Sequence, residues 1–373
     1  MTTTEALTKK GLIQPPRYVL ANIQYETLTG SVAYGVANTG DQEEISDWDI
    51  YGFCIPFKDM IFPHLKGEIS GFGRQQQRFE QYQKHGIKDV TTGKEYDLTI
   101  YSIVKFFQLC MENNPNMIDS LFTPQRCVLY SSQVANLMRE HRKLFLCKKS
   151  WFKFKGYSYS QLHKLKNKII REYLDFCEEN GVDYKDLPIE RLEAELARRG
   201  TIDAEAPVNP FNYPDPLLGP LHTADIQRLK ALLKQCLGAG KKITRRVESI
   251  KKYGYDVKFA YHVVRLLNEV EQIMVEHDLD LQRNREQLKS IRRGEWKLEE
   301  IEDYFTRKEA ELEKVYSNST LRHKPEEARI KQLLLNCLEM HFGSLNDAII
   351  KDVSALNLVQ DIEEVLSRYR IIK

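Results

Sequence analysis

Apolar and polar positions change their period about a third of the way along the chain. Before residue 102 the apolar residues come in short β-branched and aromatic runs separated by turn residues. The runs at 50–56 and 96–101 predict strands. Between them, the Gly- and Gln-rich stretch 67–93 predicts loop with one short polar strand. Ser102 then opens a different pattern, with Ile103, Phe106, Phe107 and Leu109 at helical spacing behind a capping hydroxyl. From about residue 132 the spacing is helical almost throughout, interrupted by a Pro-rich linker at 206–216 and by Gly238-Ala239-Gly240. Acids and bases alternating at helical spacing over 285–316 predict solvated helix faces. The pattern predicts an α/β module followed by a helical one.

Composition adds limits. The chain has 373 residues, 42% of them hydrophobic and 29% charged, the profile of a globular protein with a sizeable core. The first residues lack the basic-then-apolar profile of a secretory leader, and no stretch is long and apolar enough for a membrane span. Seven scattered cysteines, none in a Cys-x-x-Cys pair, argue against a disulfide framework or a structural zinc site. The expectation is a cytoplasmic protein without a membrane partner. Net charge is only +2, but it is unevenly placed. Residues 1–127 carry 12 basic and 15 acidic side chains, whereas 141–171 carry ten Lys/Arg and no acid. A second basic tract, 228–265, has eleven basic residues against Glu248 and Asp256.

The most informative stretch is Gly30-Ser31-Val32-Ala33-Tyr34-Gly35, followed after a polar loop by Ser46-Asp47-Trp48-Asp49-Ile50. Residues two apart on a strand share a face, so Asp47 and Asp49 project together at the start of an apolar run. Their mutual repulsion is unfavourable unless a cation lies between them. A hard divalent ion with oxygen ligands, Mg²⁺ or Mn²⁺, meets that need. Asp97, on the next convincing strand, supplies a third carboxylate if the strands are neighbours. Three carboxylates can hold two ions roughly 3.5–4 Å apart, one serving an attacking hydroxyl and one the phosphates and leaving group. Gly30 permits close backbone approach to a phosphate, and the Ser31 hydroxyl and amide can donate to it.

Gly-Ser, a loop, Asp-x-Asp entering a strand and a distal Asp together resemble the DNA polymerase beta-like nucleotidyltransferase superfamily. Within it, the chain resembles predicted nucleotidyltransferases associated with bacterial and phage RNA repair. The narrower likeness rests on Gly30–Ala37, Tyr51–Pro56, Asp97–Phe107, Asn113–Phe122, Gly156–Gln161 and Gly254–Leu267, with a weaker echo at Leu288–Glu295. Fifteen residues separate Ser31 from Asp47, more than the family pattern has. The resemblance implies an α+β fold, a polymerase beta-like mixed-sheet domain over 1–127 followed by an α-helical domain over 128–373. It implies transfer of an NMP from an NTP to an acceptor hydroxyl with release of pyrophosphate. Asp47, Asp49 and Asp97 would hold two Mg²⁺ or Mn²⁺ ions, Gly30 and Ser31 would position the triphosphate, and RNA, tRNA included, would be the acceptor. Transfer to a protein side chain or small molecule is the alternative within catalysis. A nucleic-acid-binding module with a degenerate site is the alternative outside it.

The basic half carries its own signals. Lys258, His262, Arg265 and Glu269 share one helix face, with Val257, Ala260, Tyr261, Val264 and Leu267 largely on another. The cationic face suits phosphate, Arg by bidentate contact and Lys as a point charge. His262 reads equally as an acid–base group, and the plain reading of the face is ordinary surface pairs. In the 141–171 tract, Tyr157, Gln161, Lys164 and Lys168 mark a polar, aromatic platform suited to single-stranded nucleic acid. Phe145, Phe152 and Phe154 read instead as core. Gly238–Lys242 only superficially evokes a P-loop, with Gln235 and Lys242 at positions that require Gly and Ser/Thr.

Overall fold

The computed structural model describes residues 1–37, 48–69, 71–75, 77–165, 201–202, 221–222, 248–343 and 362. The 206–216 linker and the Gly238–Gly240 break lie outside the described residues. The chain forms two compact units: one of residues 1–154, 269–285 and 313–373, the other of 155–268 and 286–312.

The first unit is built on a five-stranded mixed sheet of β1 (Ile23–Leu28), β2 (Trp48–Cys54), β3 (Gln81–Asp89), β4 (Lys94–Ser102) and β5 (Val128–Ser131). Its strand order is β3-β4-β2-β1-β5. β2 and β4 run parallel, and the other neighbours are antiparallel. The two predicted strands are present, β2 starting two residues earlier and ending two earlier than the 50–56 run and β4 extended at both ends, and β4 passes directly into a helix. The 67–93 stretch holds more strand than its composition suggests, because β3 is a nine-residue edge strand. Most of its side chains are exposed, so no apolar alternation announces it. Its pairing with β4 slips between Lys84 and Ile87, where Gly86 takes φ +62° in a bulge.

Strand alternation divides the core. Ile50 and Cys54 of β2, Leu98 and Ile100 of β4, and Ile23 and Leu28 of β1 form one apolar cluster with Leu7, Ile13 and Val19 from the N-terminal segment. That segment includes helix α1 (Thr3–Lys9), closed by a reciprocal Thr2–Glu5 capping box. Asp49, Tyr51 and Phe53 alternate onto the opposite face. There the Phe53 ring meets Tyr25 and, at 5.1 Å, Phe106. Short helices α2 (Arg17–Leu20), α3 (Gly30–Ala33) and α4 (Lys58–Ile61) precede that of Phe106, α5 (Ile103–Met111). It begins where the sequence predicts, with the Ser102 hydroxyl accepting from the Lys105 amide at 3.2 Å. Helix α6 (Pro115–Phe122) has Asn114 as N-cap and proline at its first turn, and α7 (Gln133–Glu140) is capped by Ser132.

Among the described residues, α8 (Lys149–Leu165) is followed by α9 (Val257–Glu276), α10 (Arg285–Arg292), α11 (Leu298–Asn318) and α12 (Glu327–Phe342). In the second unit the Ser158 hydroxyl donates to the Val263 carbonyl at 3.1 Å, fastening α8 to α9. Asn268 of α9 bonds both Gln287 of α10 and Tyr304 of α11. Val263, Val264, Leu267, Leu288, Ile291, Ile301 and Phe305 are buried here. Phe145, Trp151 and Phe154 are buried, but Phe152, predicted as core, is 60% exposed. Trp151 and Phe154 are three apart and share the inward helix face, which turns Phe152 outward, its edge against Tyr316.

Candidate active site

The site begins where β1 ends. Thr29 donates from its amide (2.8 Å) and its hydroxyl (3.2 Å) to the Asp49 carbonyl, latching the end of β1 to the start of β2. The chain then turns at Gly30, with φ +64°, into α3. A Cβ on Gly30 would lie 2.5 Å from Asp49 Oδ2. Only a residue without a side chain fits both the left-handed backbone and the carboxylate beside it. Ser31 is the second residue of the turn and is half-buried.

Below the turn, Tyr34, for which the sequence offers no contact, donates its hydroxyl to buried Asp119 Oδ2 at 2.6 Å. Asp119 lies in α6, within the 113–122 stretch of the resemblance. The Ala33 carbonyl accepts from Gln282 Nε2 at 2.8 Å, and Arg126 in turn bonds Gln282 Oε1. The Gly-Ser turn is thus anchored by Asp119 and Gln282, both of the first unit, with Arg126 behind Gln282.

Asp49 and Asp97 are direct partners in the parallel β2–β4 register. They therefore share a face on strands about 4.8 Å apart. Asp97 is held from the edge strand: the Gly86 amide donates to Oδ1 at 2.8 Å, and His85 Nδ1 lies 3.3 Å from Oδ2. Lys94 Nζ sits 3.5 Å from the Trp48 ring centroid, covering the residue before Asp49. Asp47 lies outside the described residues. Among the described residues, no group of three or more His, Cys, Asp or Glu side chains is arranged to hold a metal ion. The structure brings together Gly30, Asp49 and Asp97, with Ser31 next in the chain. It adds Thr29, His85 and Gly86, which the sequence reading missed. A glycine inside an alternating polar run was the available signal for the bulge.

The other candidates lie in the second unit. Lys258 is exposed on α9, His262 half-buried and Arg265 buried. Desolvation pushes the His262 pKa well below its usual 6.5, and the cations Arg265, Lys258 and Arg292 push the same way. At neutral pH this imidazole is uncharged, a hydrogen-bonding group amid cations. Arg292, from α10, also stands over the Tyr261 ring at 5.4 Å and is a member of this group that the sequence reading did not single out. On α8, Tyr157 is 39% exposed and Gln161 half-buried. Lys164 belongs to the same helix, and Lys168 lies outside the described residues.

A mixed sheet that carries a Gly-Ser turn against one carboxylate and pairs it with another on the adjacent strand defines a polymerase beta-like α+β domain, here with a helical region after it. Residues 12–176 match the family model RlaP, the RNA repair pathway DNA polymerase beta family, which shows over that segment the likeness read from the motifs. No curated protein and no solved structure matches the chain. Among the described residues, no helix is long and apolar enough to cross a membrane.

Proposed function

We propose that the protein is a metal-dependent nucleotidyltransferase that moves an NMP from an NTP to the 3′ hydroxyl of an RNA such as tRNA, releasing pyrophosphate. The observation that carries this reading is the in-register pairing of Asp49 with Asp97 beside the Gly30 turn. Two carboxylates side by side are a hard oxygen donor set and fit Mg²⁺ or Mn²⁺. Asp49 and Asp97, with Asp47, would hold the two ions. Bound there, the ions supply charge neutralisation on the phosphates and a lower pKa for the attacking hydroxyl.

The protein's own groups do the rest. Gly30 brings backbone close to the triphosphate without a steric barrier, and Ser31 offers its hydroxyl and amide as donors. Asp97, on the edge-strand side of Asp49, serves the acceptor hydroxyl. Lys258, His262 and Arg265 bind phosphate, His262 as a neutral hydrogen-bonding partner. Tyr157, Gln161, Lys164 and Lys168 contact the RNA. In this reading the catalytic domain expected over residues 1–127 extends through β5, which belongs to its sheet, and the helices after it serve binding. The five free cysteines among the described residues are all buried, which supports a reducing, cytoplasmic setting.

The test is incubation with each α-labelled NTP, Mg²⁺ and a mixture of total RNA and protein, followed by separation of the labelled species. Label in RNA supports the reading; label in protein or a small molecule supports the second acceptor class. No label with any donor, for protein that binds NTP and RNA, would favour a binding module instead.

A further inference from the structure

We propose that Phe152, Tyr316 and Lys148 form a subsite for one nucleotide of a single-stranded RNA, its base stacking on Phe152 and its phosphate meeting the Lys148 ammonium. This inference rests on the reading of RNA as the acceptor and adds a contact beyond the four residues already assigned to it.

All three residues belong to the first unit. Phe152 is 60% exposed, whereas Trp151 and Phe154 of the same helix are buried. Its ring centroid lies 5.3 Å from that of Tyr316, with the planes at 74°. A T-shaped contact of this kind covers an edge or one face, so a face of the Phe152 ring stays open to a flat partner. Beside Tyr316, Lys148 is only 7% exposed, a degree of burial that is rare for lysine. Its stem is packed in, and its Nζ stands 5.3 Å from the Tyr316 ring centroid. Among the described residues, none of Lys148, Lys149 and Lys153 pairs with a carboxylate. The start of α8 that carries these groups is held firmly. The Lys148 amide donates to the Arg322 carbonyl at 2.8 Å. The Ser150 hydroxyl donates to Asn113 Oδ1, and Asn113 Nδ2 donates to the Phe145 carbonyl at 2.9 Å. The open ring therefore needs little ordering to accept a ligand.

Charge decides which occupant fits. An apolar protein surface seated on Phe152 would have to cover neighbouring lysines that bring no acidic partner, and desolvating them is costly. A phosphodiester strand instead supplies a flat π-face and a negative charge in every repeat. The surrounding tract, 141–171, has ten Lys/Arg and no acid, which suits that strand along its length. In a duplex the faces of the bases are taken up by their neighbours, so an exposed ring selects unpaired bases. Stacking is tolerant of sequence, and the subsite would grip a strand without reading it.

The experiment measures binding of a labelled oligoadenylate by anisotropy at several salt concentrations, for wild type, Phe152→Ala, Phe152→Leu, Phe152→Trp and Lys148→Gln. Sedimentation velocity follows self-association of the same proteins, and thermal unfolding checks that each is folded. Phe152 is exposed, so its variants are expected to fold as wild type does. Phe152→Ala should weaken binding by roughly 5- to 150-fold with the salt slope unchanged. Phe152→Leu, apolar but without a π-face, should lose nearly as much, and Phe152→Trp should bind at least as tightly as wild type. Lys148→Gln should lower the slope of log affinity against log salt by about 0.7. If wild type binds and Phe152→Ala binds equally well, the subsite is wrong while the RNA reading stands. Full affinity in Phe152→Leu also overturns it, because apolar bulk and not stacking would then be the cause. Loss of self-association in Phe152→Ala, with RNA affinity intact, would assign the ring to a contact between copies of the chain. If wild type does not bind the oligonucleotide, the reading of RNA as acceptor fails and this inference with it.

Discussion

Gly30 and Asp49 constrain each other. The glycine has a left-handed backbone and the carboxylate occupies the space a side chain would need. Gly30→Ala is expected to cost about 1–2 kcal/mol in backbone conformation. It should also lower transfer at least tenfold by displacing Asp49, whereas Ser31→Ala keeps the turn and loses less; denaturant unfolding and steady-state kinetics check the pair. Tyr34→Phe tests the turn's anchor. It removes a hydrogen bond to a buried carboxylate, a loss of about 1.5–3 kcal/mol that a urea unfolding curve resolves. At this scale Gly30, Asp49 and Asp97 were legible because their chemistry is written in residue type and spacing. His85 was not, since nothing marks one exposed histidine on a polar strand until the bulge brings it to Asp97. Tyr34 had no legible contact because its partner, Asp119, lies 85 residues away.

Among elements, what the sequence conveys is governed by how local the cause is. α5 starts at Ser102 because the cap and the apolar spacing lie within a few residues of each other. The parallel pairing of β2 with β4 is non-local, and neither strand encodes its partner, so the Asp49–Asp97 juxtaposition could only be a condition in the sequence reading. Phe152 shows the limit from the other side: composition suggested core, and the helix phase set by Trp151 and Phe154 sent it outward. On α9, burial of His262 has a consequence for stability. Its native pKa is depressed, so the unfolded chain takes up the proton first as pH falls below about 6.5. Stability should therefore drop from pH 6.5 downward until the native pKa is reached. His262→Gln should remove that part of the slope, as read from unfolding free energy between pH 7.5 and about 5.

For the molecule as a whole, the near-neutral charge is a cancellation between an acidic N-terminal third and two basic tracts. The acidic third carries Asp49 and Asp97 on one sheet face, while Lys258, Arg265 and Arg292 belong to the helical unit. If the basic tract at 141–171 binds single-stranded RNA through phosphates, each contact contributes about 0.7 to the slope of log affinity against log salt. Changing Lys164 and Lys168 together to Ala should reduce that slope by about 1.4, measured by anisotropy of a labelled oligoribonucleotide at several salt concentrations. An unchanged slope would remove these lysines from the RNA surface without touching the carboxylate site.

The central claim is that Asp49 and Asp97 form the metal-binding core of a nucleotidyl-transfer site. Its most direct test is transfer from α-labelled NTPs to RNA by wild type, Asp49→Asn and Asp97→Asn, with each variant shown to be folded. The account predicts labelled RNA with wild type and a loss of at least about a hundredfold in each variant. Transfer at the wild-type rate by either variant would contradict it.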